Sequence, residues 1–118
     1  MGYEVYVEGK IVFNDIKKFK EEFEKVAQRR ESEVGMHGDF DYFFTKIWGD
    51  NLEYLNCDDN EEIDFTREGK LWFDDEKAME LLSKFSTGIV KFYGEDERDW
   101  KFILDGKGNV EKHTRAPL

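Results

Sequence analysis

Residues 8–15 read EGKIVFND, and residues 68–75, sixty positions later, read EGKLWFDD. In each stretch an apolar strand runs into a short polar pair, and residues with helical periodicity follow. The apolar positions of the first helix are Ile16, Phe19, Phe23 and Val26, and those of the second are Met79, Leu82 and Phe85. The chain therefore predicts two strand-to-helix units of similar design.

Further strands are predicted in both halves of the chain. They comprise residues 42–48 and the residues from 52 in the first half, and the segments around 90–92, 100–104 and 109–113 in the second. The predicted fold is α+β, with one antiparallel sheet and two helices on one face, in a single domain spanning residues 1–118. We interpret the chain as two tandem strand-helix-strand-strand repeats, roughly 3–56 and 63–113, joined by an acidic connector, 57–62. Chance similarity between two short strand-to-helix turns is the alternative interpretation.

Turn and cap residues give more local predictions. The pair Glu8-Gly9 predicts either a hairpin turn or a bulge in which Gly9 adopts a positive φ. Asn14 and Asp74 are expected to cap the two helices. The second helix is expected to end at 86–88, which reads Ser-Thr-Gly, and residues 105–108, Asp-Gly-Lys-Gly, predict a tight hairpin turn.

The chain is strongly acidic, with 28 Asp and Glu against 18 Lys and Arg and a net charge of −10. Residues 1–60 contribute 8 − 14 = −6 and residues 61–118 contribute 10 − 14 = −4, so the charge is spread over the whole chain. Such a field repels nucleic acid and anionic membranes and attracts basic protein surfaces. The alternative is that the charge serves solubility alone.

Localisation is predicted from what the sequence lacks. There is no secretory signal, no apolar run of membrane-spanning length, and a single cysteine, Cys57. These features predict a soluble protein of the reducing cytoplasm, without direct contact to a membrane.

Residues that could bind a metal are few and badly spaced. Cys57, His37 and His113 are isolated, so they do not form the clustered ligand set of a zinc site. Four polar residues occupy positions 1, 3, 5 and 7 of a calcium-loop pattern: Asp58, Asn60, Glu62 and Asp64. However, Ile63 stands where that loop requires glycine and Gly69 where it requires glutamate. We therefore predict no metal ligand.

Catalytic chemistry is equally unsupported. Cys57 precedes Asp58 and Asp59, and negative neighbours raise the pKa of a thiol, which disfavours the nucleophilic thiolate. Carboxylates are so numerous that no pair stands out as acid and base. We predict no catalytic residue and no cofactor, although enzymatic activity stays open.

The best candidate surface is acidic and lies in two loops. The segment 94–99 reads Gly-Glu-Asp-Glu-Arg-Asp and runs into Trp100, and the connector 57–62 is a second acidic segment. Aromatic side chains favour the centres of interfaces, and charges steer the approach of a partner. The predicted protein-binding residues are Glu95, Asp96, Glu97, Asp99, Trp100, Asp58, Asp59, Glu61 and Glu62. The alternative is that Trp100 belongs to the core and the acids form solvated loops.

The two ends of the chain resemble a known group of proteins. The opening residues 2–9, GYEVYVEG, and residues 93–96, YGED, followed by Trp100 and Asp105-Gly106, are similar to a loose family of small uncharacterised bacterial and phage domains. Those domains share a YExYVxG start and a GED…W…DG end. The family has no established activity or site, so the resemblance implies only an accessory or phage-related role.

These observations lead to three functional hypotheses. The leading hypothesis is a non-enzymatic interaction module that binds a basic protein surface, as an inhibitor or a mimic of nucleic acid. The second is a small-molecule-binding domain or minor enzyme with a pocket between sheet and helices, lined by Tyr42, Phe44, Trp48 and Trp72. The third is a homodimer formed through exposed sheet edges or an uncovered sheet face.

Overall fold

A five-stranded antiparallel sheet with two helices makes up the described part of the chain, which comprises residues 3–32, 55–71, 75–96 and 98–115 of a computed structural model. The elements follow in the order β1 (Tyr3–Phe13), α1 (Ile16–Ser32), β2 (Glu62–Leu71), α2 (Asp75–Ser83), β3 (Ser86–Gly94), β4 (Asp99–Asp105) and β5 (Val110–Arg115). Neighbouring strands pair antiparallel in the order β2-β1-β3-β4-β5. The predicted α+β class is confirmed, whereas the tandem repeat is not.

The strand β1 pairs on both of its edges. Val7 lies opposite Arg67 on β2 and opposite Phe92 on β3. Because successive side chains of a strand point to opposite faces, the odd-numbered residues of β1 share one face of the sheet and the even-numbered residues share the other. We call these the inner face and the outer face.

The core lies on the inner face, and both helices contribute to it. Its buried hydrophobic residues are Val5, Val7, Ile11, Phe13, Phe19, Phe23, Leu55, Phe65, Ala78, Met79, Leu81, Leu82, Val90, Phe92, Phe102 and Leu104. From α1 come Phe19 and Phe23, and the ring of Phe19 lies 5.1 Å from that of Phe13 on β1. The core is rich in aromatic side chains, and truncation of a fully buried phenylalanine to alanine costs about 3–5 kcal/mol.

The helix α1 begins one residue later than the predicted cap implies. The Asp15 carboxylate accepts a hydrogen bond from the Lys18 N–H at 3.1 Å, which makes Asp15 the capping residue. The prediction of Asn14 was wrong, because the Asp15 side chain takes the capping role. The backbone N–H of Asn14 donates to the Phe85 carbonyl at 2.7 Å. A second carboxylate, that of Asp59, accepts from the Ile16 N–H at 2.8 Å. Two negative charges therefore lie at the positive end of the α1 dipole.

The helix α2 ends at Ser83, earlier than predicted. The Phe85 N–H donates to the Leu82 carbonyl at 3.1 Å, so the chain leaves the helix through a tighter turn. Ser86 already pairs with Phe13 as the first residue of β3. The ring of Phe85 still packs on Phe19, at 5.9 Å between centroids. The expected end at residues 86–88 was wrong because pairing with β1 extends the sheet there.

Gly9 neither turns nor bulges, contrary to both predicted possibilities. It lies in continuous register opposite Phe65 on β2 and Val90 on β3. A β-carbon built on Gly9 would overlap the Phe65 ring. The glycine is therefore required because an aromatic ring of the neighbouring strand covers its backbone.

The predicted hairpin between β4 and β5 is confirmed. Gly106 and Gly108 have φ values of +79° and +91°, which favour glycine. The Asp105 carboxylate holds the turn, because Oδ1 accepts from the Lys107 N–H at 2.7 Å and from the Asn109 N–H at 3.0 Å. The predicted strands around 42–48 and 52, and the predicted Asp74 cap, lie outside the described residues.

Candidate functional site

Trp100 lies on the inner face of β4, next to α2. Its ring stacks on Phe92 with centroids 5.4 Å apart and an interplanar angle of 8°. The indole Nε1 donates a hydrogen bond to the Asp75 Oδ2 atom at 2.7 Å, and the Lys112 ammonium lies 6.0 Å from the ring centroid. Trp100 thus contributes to the packing of α2 on the sheet, and its role in protein binding stays a prediction.

The acidic loop between β3 and β4 is a tight turn. The Gly94 N–H donates to the Arg98 carbonyl at 2.7 Å, which closes the turn. The Asp96 carboxylate forms an ion pair with the Arg98 guanidinium at 3.1 Å. Arg98 therefore offsets part of the negative charge that the sequence places in this loop. Glu97 lies outside the described residues.

The acidic connector is also held by internal hydrogen bonds. Asp59 caps α1, as described above, and the Glu61 carboxylate accepts from the Asp58 N–H at 2.8 Å. Asn60 adopts a φ of +65°, a left-handed conformation that asparagine tolerates. Two of the predicted binding carboxylates, those of Asp59 and Glu61, therefore also shape the connector.

The two acidic loops lie at opposite ends of β1. Near its start, the Glu95 N–H donates to the Glu4 carbonyl at 3.1 Å, and at its end the Asn60 N–H donates to the Phe13 carbonyl at 2.9 Å. Nine residue steps of strand separate these two contacts, which corresponds to about 30 Å. The loops cannot form one compact patch by themselves.

A row of carboxylates on the outer face extends between the two loops, beginning with Glu62, the last residue of the connector. They are Glu4 and Glu8 on β1 and Glu62, Asp64 and Glu68 on β2, and we call this set the acidic strip. Lys10 shares this part of the face by register, opposite Asp64. The Lys10 ammonium lies 3.9 Å from the Glu62 carboxylate, with both side chains more than half exposed. Surface pairs of this kind contribute little to stability.

Aromatic and aliphatic side chains occupy the centre of the outer face. Tyr6 and Tyr93 are directly opposite each other on β1 and β3, with ring centroids 6.0 Å apart. They are 40% and 36% exposed, and Ile89 on β3 is 39% exposed. The Tyr93 hydroxyl donates to the Glu8 carboxylate at 2.9 Å, and this hydrogen bond raises the pKa of Tyr93. The hydroxyl is therefore a poor general base.

Two shallow clefts lie on the outer face. One, of about 470 Å³, is lined by Lys91, Tyr93, Asp99, Lys101, His113 and Thr114, together with Phe92 and Trp100. The other, of about 460 Å³, is lined by Glu8, Gly9, Lys10, Asp64, Phe65, Thr66, Ile89 and Lys91. The predicted pocket between sheet and helices depends on Tyr42, Phe44, Trp48 and Trp72, which lie outside the described residues.

Cys57 has the environment of an unreactive thiol. Burial raises its pKa most, followed by the charge of Glu61, while Lys20 acts in the opposite direction. The negative neighbours Asp58 and Asp59 add smaller effects in the direction that the sequence predicts. Within residues 3–32, 55–71, 75–96 and 98–115, no group of three His, Cys, Asp or Glu residues is arranged to hold a metal ion.

Of the acidic strip, the sequence analysis identified Glu62 alone, although more of the signal is readable. Alternating residues 62, 64 and 68 are acidic, and alternation in a strand places them on one face. What the sequence does not show is that β2 pairs with β1 in the register that places these acids beside Glu4 and Glu8. Strand order and register depend on long-range contacts, which the local pattern does not contain.

Comparisons with known proteins give no family for this chain. No family model, no curated protein and no solved structure matches it. The resemblance to small bacterial and phage domains therefore stays a prediction. Among the described residues, no helix is long and apolar enough to cross a membrane.

Proposed function

We propose that the protein is a non-enzymatic interaction module that binds a basic protein surface through its outer face. The observation that carries this proposal is the acidic strip, which runs along β1 and β2 from the connector to the loop between β3 and β4. In this setting the two predicted acidic loops are the ends of one negative surface.

The centre of the outer face supports binding as well as long-range attraction. Exposed Tyr6, Tyr93 and Ile89 lie next to the strip, and aromatic residues surrounded by charged ones are typical of protein interfaces. The acids would increase the rate of association with a basic partner, and the apolar centre would slow dissociation. Proteins that bind nucleic acid have basic surfaces of this kind. The acidic strip would occupy the nucleic-acid-binding site of such a protein and thereby inhibit it.

The test is a pull-down from lysate with matched charge-reversal variants. The strip variant carries Glu62→Lys, Asp64→Lys and Glu68→Lys. The control carries Glu21→Lys, Glu24→Lys and Glu80→Lys, which change the net charge equally at exposed positions on α1 and α2. We expect a basic protein to be captured by the wild type and by the control but not by the strip variant, and to be released by salt.

The nucleic-acid-mimic part of the proposal has its own test. A duplex DNA oligonucleotide added to the captured complex should release the partner if both ligands occupy one basic site. Equal capture by the strip variant and the control would contradict the role of the strip. Capture that DNA does not affect would contradict mimicry alone.

The pairing of β1 with β2 supports the tandem-repeat interpretation. The register makes each pair of residue numbers sum to 74, so Gly9 pairs with Phe65 and Gly69 with Val5. The offset of sixty residues between the two similar stretches relates Gly9 to Gly69 and Val5 to Phe65, so it maps one of these two pairs onto the other. This relation corresponds to an approximate two-fold axis that passes between Val7 and Arg67. We infer that the two strand-to-helix units arose by duplication.

We also propose that the protein is located in the cytoplasm.

A further inference from the structure

Two lysines and a histidine form a row across β3, β4 and β5 on the outer face, and Lys91, at the end of the row nearest β1, lies opposite Glu8 of the acidic strip. Lys91 on β3 is directly opposite Lys101 on β4, and Lys101 is directly opposite His113 on β5. Like charges that face each other across an antiparallel pair are destabilising. Glu8 offsets part of the charge of Lys91, whereas Lys101 has Lys91 and His113, and no acidic residue, directly opposite it on its two neighbouring strands. A bound negative group beside Lys101 would offset the remaining repulsion.

The same three residues line the larger cleft. Its volume of about 470 Å³ lies within the range of small-molecule sites. Tyr93 lines the cleft too, and the hydrogen bond to Glu8 holds its hydroxyl. Asp99 lies beside Tyr93 on the neighbouring strand. The cleft thus combines two ammonium groups, an imidazole, an aromatic ring and one carboxylate.

We propose that this cleft binds a small organic anion. Its carboxylate or phosphate group lies between Lys91 and Lys101, where ammonium groups donate charge-assisted hydrogen bonds. Its apolar body covers the Tyr93 ring. Asp99 limits the negative charge that the site accepts and receives a hydrogen bond from a hydroxyl or amine of the ligand. Glu111, which pairs with His113 at 2.9 Å, disfavours a second anionic group at that end.

The experiment is a titration of the full chain followed by amide NMR. The probes are phenyl phosphate, benzoate and inorganic phosphate, each at constant ionic strength maintained with sodium chloride. We expect saturable shifts at residues 91, 93, 101 and 113, with phenyl phosphate binding more tightly than inorganic phosphate because only the former covers Tyr93. The comparison of phenyl phosphate with benzoate distinguishes a phosphate site from a carboxylate site.

Three lysine-to-glutamine variants distinguish binding in the cleft from non-specific electrostatic attraction. Lys91→Gln and Lys101→Gln should each weaken binding about fivefold or more, by removing a charge-assisted contact. Lys10→Gln is the matched control, since Lys10 is an exposed lysine on the same face but does not line this cleft. We expect it to bind phenyl phosphate like the wild type.

Several outcomes would overturn the inference. Equal weakening by all three variants would show non-specific attraction, and non-saturable shifts would show that no site exists. A change of oligomeric state in Lys91→Gln or Lys101→Gln would assign the row to contacts with a second copy. The inference is independent of the proposed partner, because the Glu62, Asp64 and Glu68 reversals leave the cleft lining intact and should preserve binding.

Discussion

Trp100 on β4 donates its indole N–H to the Asp75 carboxylate in the first turn of α2, at 2.7 Å. This single hydrogen bond connects the sheet to the start of the helix. It also explains why the indole, which has one polar atom, can pack against Phe92 without leaving that atom unsatisfied. A residue that the sequence marks as an interface candidate is thereby part of the packing between α2 and the sheet.

Removal of this carboxylate should destabilise the fold. Asp75→Ala is expected to lower the free energy of unfolding by about 1–2 kcal/mol, because it removes a charged hydrogen-bond acceptor from a half-buried donor. Glu76→Ala is the matched control, since Glu76 is an exposed acid in the same first turn of α2. Both variants lose a favourable interaction with the helix dipole, so the difference between them reports the bond to Trp100. Equal losses in urea denaturation would contradict this assignment.

The second prediction concerns the space above Gly9. Gly9→Ala should lower the free energy of unfolding by about 1–3 kcal/mol, because the added methyl group would overlap the Phe65 ring and overpack the site. The cost depends on that ring, so Phe65→Leu should relieve part of it. A double-mutant cycle measured by denaturant unfolding checks this coupling. Additive effects of the two substitutions would rule out the proposed contact as the reason for glycine.

The hairpin carboxylate gives a prediction about pH. Hydrogen bonds from the Asn109 side chain and from the Lys107 backbone N–H are the main causes that lower the pKa of Asp105 to about 2. A folded-state pKa below the unfolded value means that this group stabilises the protein above pH 4. That contribution is lost as the pH falls from about 4 to about 2.

Two alanine variants test the cause of this shift. Asn109→Ala should raise the pKa of Asp105 toward its usual value, since the side-chain donor is removed. Lys107→Ala should leave it near 2, because Lys107 donates through its backbone N–H. Carboxyl NMR titration from pH 1.5 to 6 measures both. A similar pKa in the two variants would show that the Asn109 amide does not hold the carboxylate.

The elements with strong local patterns could be predicted from the sequence. The alternation of Tyr3–Phe13, the apolar stripe of α1 and the glycines of the β4–β5 turn each carry their own signal. Errors arose where long-range contacts decide the local structure. Gly9 remains within a strand because Phe65 covers it, and α2 ends early because Ser86 pairs with Phe13.

The same difference between local patterns and long-range contacts applies to the candidate site. The acidic character of the surface could be predicted, because charge is a property of composition. The row Lys91, Lys101 and His113 could not, because these residues meet only through the registers of three strands. Lys91 and Lys101 are ten residues apart in the chain, and Lys101 and His113 are twelve apart. Their alignment depends on the type and length of the turns between the strands, which the charge pattern alone does not specify.

The last prediction concerns the reactivity of Cys57. Since the thiolate is the reactive form, a raised pKa should make this thiol react more slowly at pH 8 than it does in the unfolded chain. Burial is the largest cause, but Glu61 and Lys20 act on the pKa in opposite directions. Charge removal at these two positions should therefore move the rate in opposite directions. Glu61→Gln should accelerate the reaction and Lys20→Gln should slow it, each by roughly twofold to fivefold at low ionic strength.

Reaction with a chromogenic disulfide reagent measures these rates. Glutamine at position 61 keeps an oxygen that can accept from the Asp58 N–H, so the connector should retain its shape, and matched melting temperatures would verify this. Added salt should reduce both charge effects, because it screens exposed groups, but not the effect of burial. If both variants changed the rate in the same direction, a change in the exposure of Cys57 would be the cause, and the electrostatic explanation would be rejected.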